Sequence, residues 1–106
     1  MEDNLHNETF VDVILPLSVP LYTYRVPETM VDSIKVGCRV VVQLGLRKMY
    51  TAIIYGIHHD KPNSPLLKDI ESVLDENPKV TQSQLDLWDW MSDYYMCTRG
   101  EIMKAA

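Results

Sequence analysis

Cys38 to His58, CRVVVQLGLRKMYTAIIYGIH, is the stretch whose reading decides the fold. Its first seven residues, Cys38 to Leu44, are β-branched and nearly continuous, a composition that suits a pleated, buried surface. Gly45 interrupts the run, and Leu46, Arg47 and Lys48 fill a turn. Met49 to His58 then resumes the same chemistry. Two β-rich runs joined across a glycine turn predict an antiparallel hairpin over 38–58.

Outward from this hairpin, further strands are expected on the N-terminal side. Over 8–15, ETFVDVIL sets Phe10, Asp12 and Ile14 against Val11, Val13 and Leu15, the two-residue period of a strand, and Pro16 stops it. Pro16 to Pro20 reads as a loop. Tyr22 to Val26 has high β propensity and ends at Pro27. Residues 28–37 read as a connection closed by Gly37, a position suited to positive φ. On the C-terminal side, 59–65 holds two prolines and an Asn-Ser pair and reads as a loop, and 68–74 reads as a strand carrying Ile70 and Val73.

The chain then changes character. Thr81 with Gln84 three residues on forms a capping-box pattern after Pro78. Leu85, Trp88, Met91 and Tyr95 recur at helical spacing, with Leu87 and Tyr94 widening the apolar stripe and Asp86, Asp89 and Asp93 on the remaining face. A second cap, Thr98 with Glu101, begins a short helix that is still running at Ala106, the pattern of a fragment of a larger protein. The expected class is α+β: a flexible tail over 1–8, a small curved antiparallel β-sheet or partial barrel over 9–75, and a helical part over 76–106.

Bulk properties narrow the function classes. A chain of 106 residues suits one domain with one modest core. No apolar run approaches the ~18 residues of a membrane helix. The acidic, polar Met1-Glu2-Asp3-Asn4 is unlike a secretory signal, so the cytoplasm is the expected compartment and no membrane partner is expected. Cys38 and Cys97 belong to no CxxC pair and read as two reduced thiols packed as small hydrophobes. The net charge of −5 argues against a general nucleic-acid sponge. It hides a segregation: 25–68 carries seven bases against three acids, while 1–24 has four acids and no Lys or Arg, and 69–106 has eight acids against three bases. A basic middle between acidic flanks suits a small, localised anion site.

No catalytic constellation stands out: there is no phosphate loop, GxSxG elbow or HExxH motif. His58 and His59 are adjacent at a strand end, so they point to opposite faces and make a poor metal pair. The row of Asp86, Asp89 and Asp93 reads first as a solvated helix face, and Trp88, Met91 and Tyr95 as core. Two features invite more. Tyr22-Thr23-Tyr24 reads first as a packed aromatic strand, and it also offers a stacking surface for a base. Gly45-Leu46-Arg47-Lys48 reads first as a solubilising hairpin tip, and its backbone N–H groups and two cations also fit a phosphate. The residues alone reach a small α+β domain with a candidate anion or nucleotide site.

Order and spacing carry a resemblance further. Val13-Ile14-Leu15-Pro16-Leu17, Tyr22-Thr23-Tyr24-Arg25-Val26-Pro27, Val36-Gly37-Cys38-Arg39-Val40-Val41-Val42 and Leu44-Gly45 follow one another. After them come Leu67-Lys68-Asp69-Ile70, Val73-Leu74-Asp75, Trp90, Asp93-Tyr94-Tyr95 and Gly100-Glu101. Together they resemble, over roughly 9–106, the N-terminal DNA-binding domain of the PriA-type primosomal replication-restart helicases.

The resemblance implies a domain, not itself an enzyme, that captures the 3′ end of the nascent leading strand at a stalled fork without regard to sequence. It assigns a terminal-nucleotide pocket to Tyr22, Thr23, Tyr24, Gly45 and Lys68. Two departures stand out. Thr23 occupies a position where the family often has Asp, and Leu46 one where a basic residue is commoner, which makes Arg47 and Lys48 the expected phosphate contacts. The resemblance also implies a parent protein with an ATP-dependent motor using ATP and magnesium and a zinc-binding insertion, with no cofactor in this chain. Expected partners are DNA with a free 3′ end, and beyond it single-strand-binding protein and other primosome proteins. The alternative is a protein-interaction domain that uses the acidic helical face without touching DNA.

Overall fold

A computed structural model describes residues 8–64 and 67–105. Five strands form one sheet: β1 (Thr9–Ile14), β2 (Tyr22–Val26), β3 (Arg39–Leu44), β4 (Lys48–His58) and β5 (Ser72–Val73), in the order β2-β1-β4-β3-β5 with every neighbouring pair antiparallel. The hairpin at its centre pairs Arg39 with Ile53 through to Leu44 with Lys48. Two helices follow, α1 (Gln82–Tyr95) and α2 (Arg99–Ala105), which makes the α+β arrangement expected from the chain order. Of the tail expected over 1–8, only Glu8 lies among the described residues; its carbonyl accepts from Nδ1 of His59 at 2.9 Å.

The sheet curls for two visible reasons. The β1–β4 register shifts between Asp12 and Val13, a bulge that bends and twists the pair. The chain before β5 also reaches back to the far edge: Arg25 N–H donates to the Lys68 carbonyl at 2.8 Å, and Ile70 N–H donates to the Arg25 carbonyl at 3.0 Å. Residues 68–70 thus run parallel to β2, and β5 pairs with β3, so one stretch of chain bridges both edges of the sheet into a partial barrel. This divided allegiance corrects the single strand expected over 68–74. A second difference is a 3-10 helix, Glu28–Ser33, within the stretch read as plain connection.

Alternation sorts the side chains into two cores. Val11, Val13, Tyr24, Val40, Val42, Ala52, Ile54 and Ile70 fill the inside of the curl. Ile14 and Ile53 face the other way and pack against Leu85, Trp88 and Ile102 of the helices. Burying a side chain of this kind stabilises by roughly 1.5–3 kcal/mol, so the helices are held chiefly by these few contacts. Polar ties add orientation. Tyr55 donates to Oδ2 of Asp89 at 2.8 Å, and Arg99 Nε donates to Oδ1 of the same carboxylate at 2.6 Å. Asp89 therefore leaves the solvated row predicted for it and joins strand to helices.

Helix α1 begins as its sequence directs, with Thr81 Oγ1 accepting from Gln84 N–H and Gln84 Oε1 accepting from Thr81 N–H. It ends at Met96, which adopts a left-handed conformation with φ 55°. Its buried stripe is narrower than expected. Leu85 and Trp88 are buried and Met91 packs half-buried beside them, but Leu87, Tyr94 and Tyr95 are exposed. Cys38 is buried, Cys97 half-buried, and both are free thiols.

Candidate nucleic-acid interface

The candidate site lies where three segments meet at one end of the curl: the start of β2, the β3–β4 turn, and the chain leading to Lys68. A cavity of about 670 Å³ opens there, within the size range of small-ligand sites. Tyr22, Thr23, Tyr24, Gly45 and Lys68 all line it. Arg47 on the same turn and Lys48 at the start of β4 are exposed but outside the lining. Five of the seven residues expected for the site are thus gathered in one place, and two stand at its shoulder.

Each lining group is placed by a definite local cause. Tyr24 turns into the barrel, where it is 3% exposed, and its hydroxyl donates to the Gln43 carbonyl at 3.0 Å, tying β2 to the end of β3. Burial, followed by the neighbouring Tyr22, pushes the Tyr24 phenol above its usual range, so it stays a neutral donor. Tyr22, two residues earlier on the same side, is half-buried against the same core and keeps a face toward the cavity.

Gly45 adopts φ +74°, which a turn of this shape demands and which residues with a Cβ rarely adopt. Its carbonyl accepts from the Lys68 ammonium at 2.5 Å, and the Gln43 side-chain amide donates to the Leu46 carbonyl at 2.7 Å. The turn is therefore held from two sides. An ammonium has three N–H donors, so Lys68 keeps two for a ligand.

Thr23 differs from expectation. Its side chain points to the other face of the sheet, where Oγ1 donates to Asp12 Oδ1 at 2.6 Å, directly across the strand pair. The same Asp12 oxygen lies 3.1 Å from Nε2 of His58, and His58 Nδ1 accepts from Asp60 N–H at 3.1 Å, so Nε2 carries the proton and donates. What Thr23 turns toward the cavity is its backbone. On an antiparallel strand, peptide groups two residues apart point to the same edge. Arg25 directs its N–H and C=O toward 68–70, so Thr23 directs its own the same way, toward the cavity. Among the described residues neither has a backbone partner.

The remaining lining was not singled out from sequence. Pro20, Leu21, Leu44, Pro62 and Leu67 make the walls largely apolar, and among the described residues Lys68 is the only cation on them. Gln43 had a weak signal as the last polar residue before the glycine turn; Leu44 and Leu67 stood in the family motifs with no site role assigned, and Pro62, in a loop, had no signal. A second hollow, about 480 Å³, lies between the 3-10 helix and β5. Asp32, Asp75 and Glu76 outnumber its one cation, Lys35, whose ammonium already donates to the Glu76 carbonyl, so it suits no phosphate. No grouping of His, Cys, Asp or Glu among the described residues is arranged to hold a metal ion.

The family of the PriA 3′ DNA-binding domain matches residues 12–106, nearly the whole chain. The chain belongs to that family. The replication restart protein PriA of Bacillus subtilis (strain 168) is 28% identical over 88 residues, which is 79% of this chain and 11% of the relative. The chain thus spans about a ninth of the length of that PriA protein. Within the PriA 3′ DNA-binding domain, the matched span includes β2, the β3–β4 turn and Lys68, that is, every element of the cavity.

Proposed function

We propose that the cavity at the end of the curl receives the 3′-terminal nucleotide of a DNA strand, and that the domain thereby captures the nascent leading-strand end at a stalled replication fork. The observation that supports this most is convergence at the cavity. An aromatic face (Tyr22), an open strand edge (Thr23), a glycine turn (Gly45) and one ammonium (Lys68) line a single recess whose other walls are largely apolar, with Gln43 and Ser64 among them. A terminal nucleotide presents matching chemistry: a base with a π-face, an apolar sugar edge, one hydroxyl and one phosphodiester. Stacking on Tyr22 serves any base and accounts for indifference to sequence. The Thr23 peptide supplies a donor and an acceptor for the 3′-hydroxyl, and Lys68 supplies charge to the phosphodiester. A lone cation suits a net charge of −5, since an end site needs no long phosphate track.

The wider protein, on this reading, is an ATP-dependent restart helicase in the cytoplasm. ATP, magnesium and zinc are used outside this chain, and single-strand-binding protein and primosome proteins are its partners. The test is titration of labelled single strands with free, phosphorylated or recessed 3′ ends against wild type, Tyr22→Ala and Lys68→Ala. Preference for the free 3′-hydroxyl, weakened in both variants, supports the reading; indifference to the end chemistry refutes it.

A second reading rests on a different surface. Trp90 and Tyr94, 57% and 66% exposed, stack at 4.9 Å between ring centres on the outer face of α1, with the exposed Asp86 and Asp93 on the same face. An exposed aromatic pair flanked by carboxylates fits a basic partner protein, since Trp and Tyr are frequent anchors of protein interfaces. The two readings separate by where a bound ligand perturbs amide resonances: around Tyr22, Gly45 and Lys68, or around Trp90 and Tyr94.

A further inference from the structure

Leu46 is 92% exposed at the tip of the β3–β4 turn, yet it lines the same cavity as Tyr22, Gly45 and Lys68. A single exposed leucine on an open surface is ordinary. This one is held in place. The Gln43 amide donates to the Leu46 carbonyl at 2.7 Å, the Lys68 ammonium donates to the preceding Gly45 carbonyl at 2.5 Å, and strand pairing continues up to Leu44 opposite Lys48. The backbone beneath Leu46 therefore cannot turn the side chain under the sheet without breaking these ties. Its two cationic neighbours, Arg47 and Lys48, are the ones left off the lining. The tip of this turn thus offers the cavity an apolar side chain, and Pro20, Leu21, Pro62 and Leu67 add apolar surface to the same lining.

On the reading of this cavity as the DNA 3′-end site, we infer that Leu46 is an apolar lip that packs on the sugar and base face of the seated nucleotide. It holds the end by a contact that salt does not screen. Each phosphate neutralised by a cation makes log K fall with log salt by about 0.7 on a single strand. Burial of a leucine side chain adds affinity without adding to that slope. With Lys68 the only cation on the lining among the described residues, this domain should bind DNA ends with a slope near that of one ionic contact.

The test is fluorescence anisotropy of a 5′-labelled single strand with a free 3′-hydroxyl, titrated across a salt series with wild type, Leu46→Ala, Leu46→Lys and Tyr22→Ala. So exposed a side chain can be changed without endangering the fold, which circular dichroism verifies. Leu46→Ala should weaken binding about tenfold at every salt concentration, the effect of burying roughly half a leucine side chain, with a parallel salt dependence. Leu46→Lys should steepen the slope by about 0.7 and bind more weakly than wild type at high salt. If Leu46→Ala binds like wild type, or changes the slope, while Tyr22→Ala binds more weakly, the site stands and the lip is refuted. If Tyr22→Ala also binds like wild type, the end-binding reading of the cavity falls, and the lip falls with it.

Discussion

Thr23→Val separates recognition by a side chain from recognition by a strand edge. In the structure the Thr23 hydroxyl is committed to Asp12 at 2.6 Å on the face away from the cavity, while its peptide groups turn toward the cavity. Valine keeps the shape and β propensity and removes the hydroxyl alone. A hydrogen bond to a charged group contributes about 1.5–3 kcal/mol. Here the Asp12 side chain is 30% exposed and retains His58 at 3.1 Å, so it can recover part of that through water. A loss of about 1 kcal/mol follows, or roughly 4–8 °C in Tm for a domain of this size. Thermal unfolding by circular dichroism measures it. Matched titrations with 3′-hydroxyl and 3′-phosphate strands complete the assay, and the ratio between them should equal that of wild type. A ratio that collapses while Tm stays constant would show that the hydroxyl meets the ligand, and would refute the strand-edge account.

Three further outcomes follow from the same structure. Lys68→Ala should reduce the salt slope of 3′-end binding by about 0.7, because one ionic contact is lost; an unchanged slope measured by anisotropy moves the phosphate contact to Arg47 or Lys48. Gly37 adopts φ +94°, and a Cβ there would collide with the Val80 carbonyl, so Gly37→Ala should cost at least about 2 kcal/mol, read from urea unfolding, with DNA-end specificity intact in the folded fraction. Asp75 takes hydrogen bonds from the Arg39 side chain at 2.9 and 3.0 Å and from the Arg39 N–H at 2.9 Å, which hold its carboxyl at about 2, below the ordinary 3.8. A depressed value means that its contribution is fully present above about pH 4, declines as pH falls, and is gone below about pH 2; Asp75→Asn should remove that part of the acid-unfolding curve.

Much was legible in the residues because it is local. The β-branched run at Val40-Val41-Val42, the break at Gly45 and the alternation over 9–15 specify strands through side-chain sterics and a period of two, and the Thr81–Gln84 box specifies where α1 starts through its own hydrogen bonds. The order and spacing of short motifs such as Tyr22-Thr23-Tyr24 and Leu67-Lys68 were also enough to point to a family and to five residues that line one cavity. Other features depend on what the strands meet. Residues 68–74 divide between β2 and β3, a choice made by the closing of the curl and invisible to any local propensity. The apolar stripe of α1 runs from Leu85 through Trp88 to the half-buried Met91, and Tyr95, one turn further on, is in solvent although its spacing matches the buried face. Thr23 shows the division most sharply. Its place in the motif is a matter of sequence, but which of its groups faces the cavity was decided by Asp12 across the strand, which takes the hydroxyl, and by the edge position of β2, which leaves the peptide groups open.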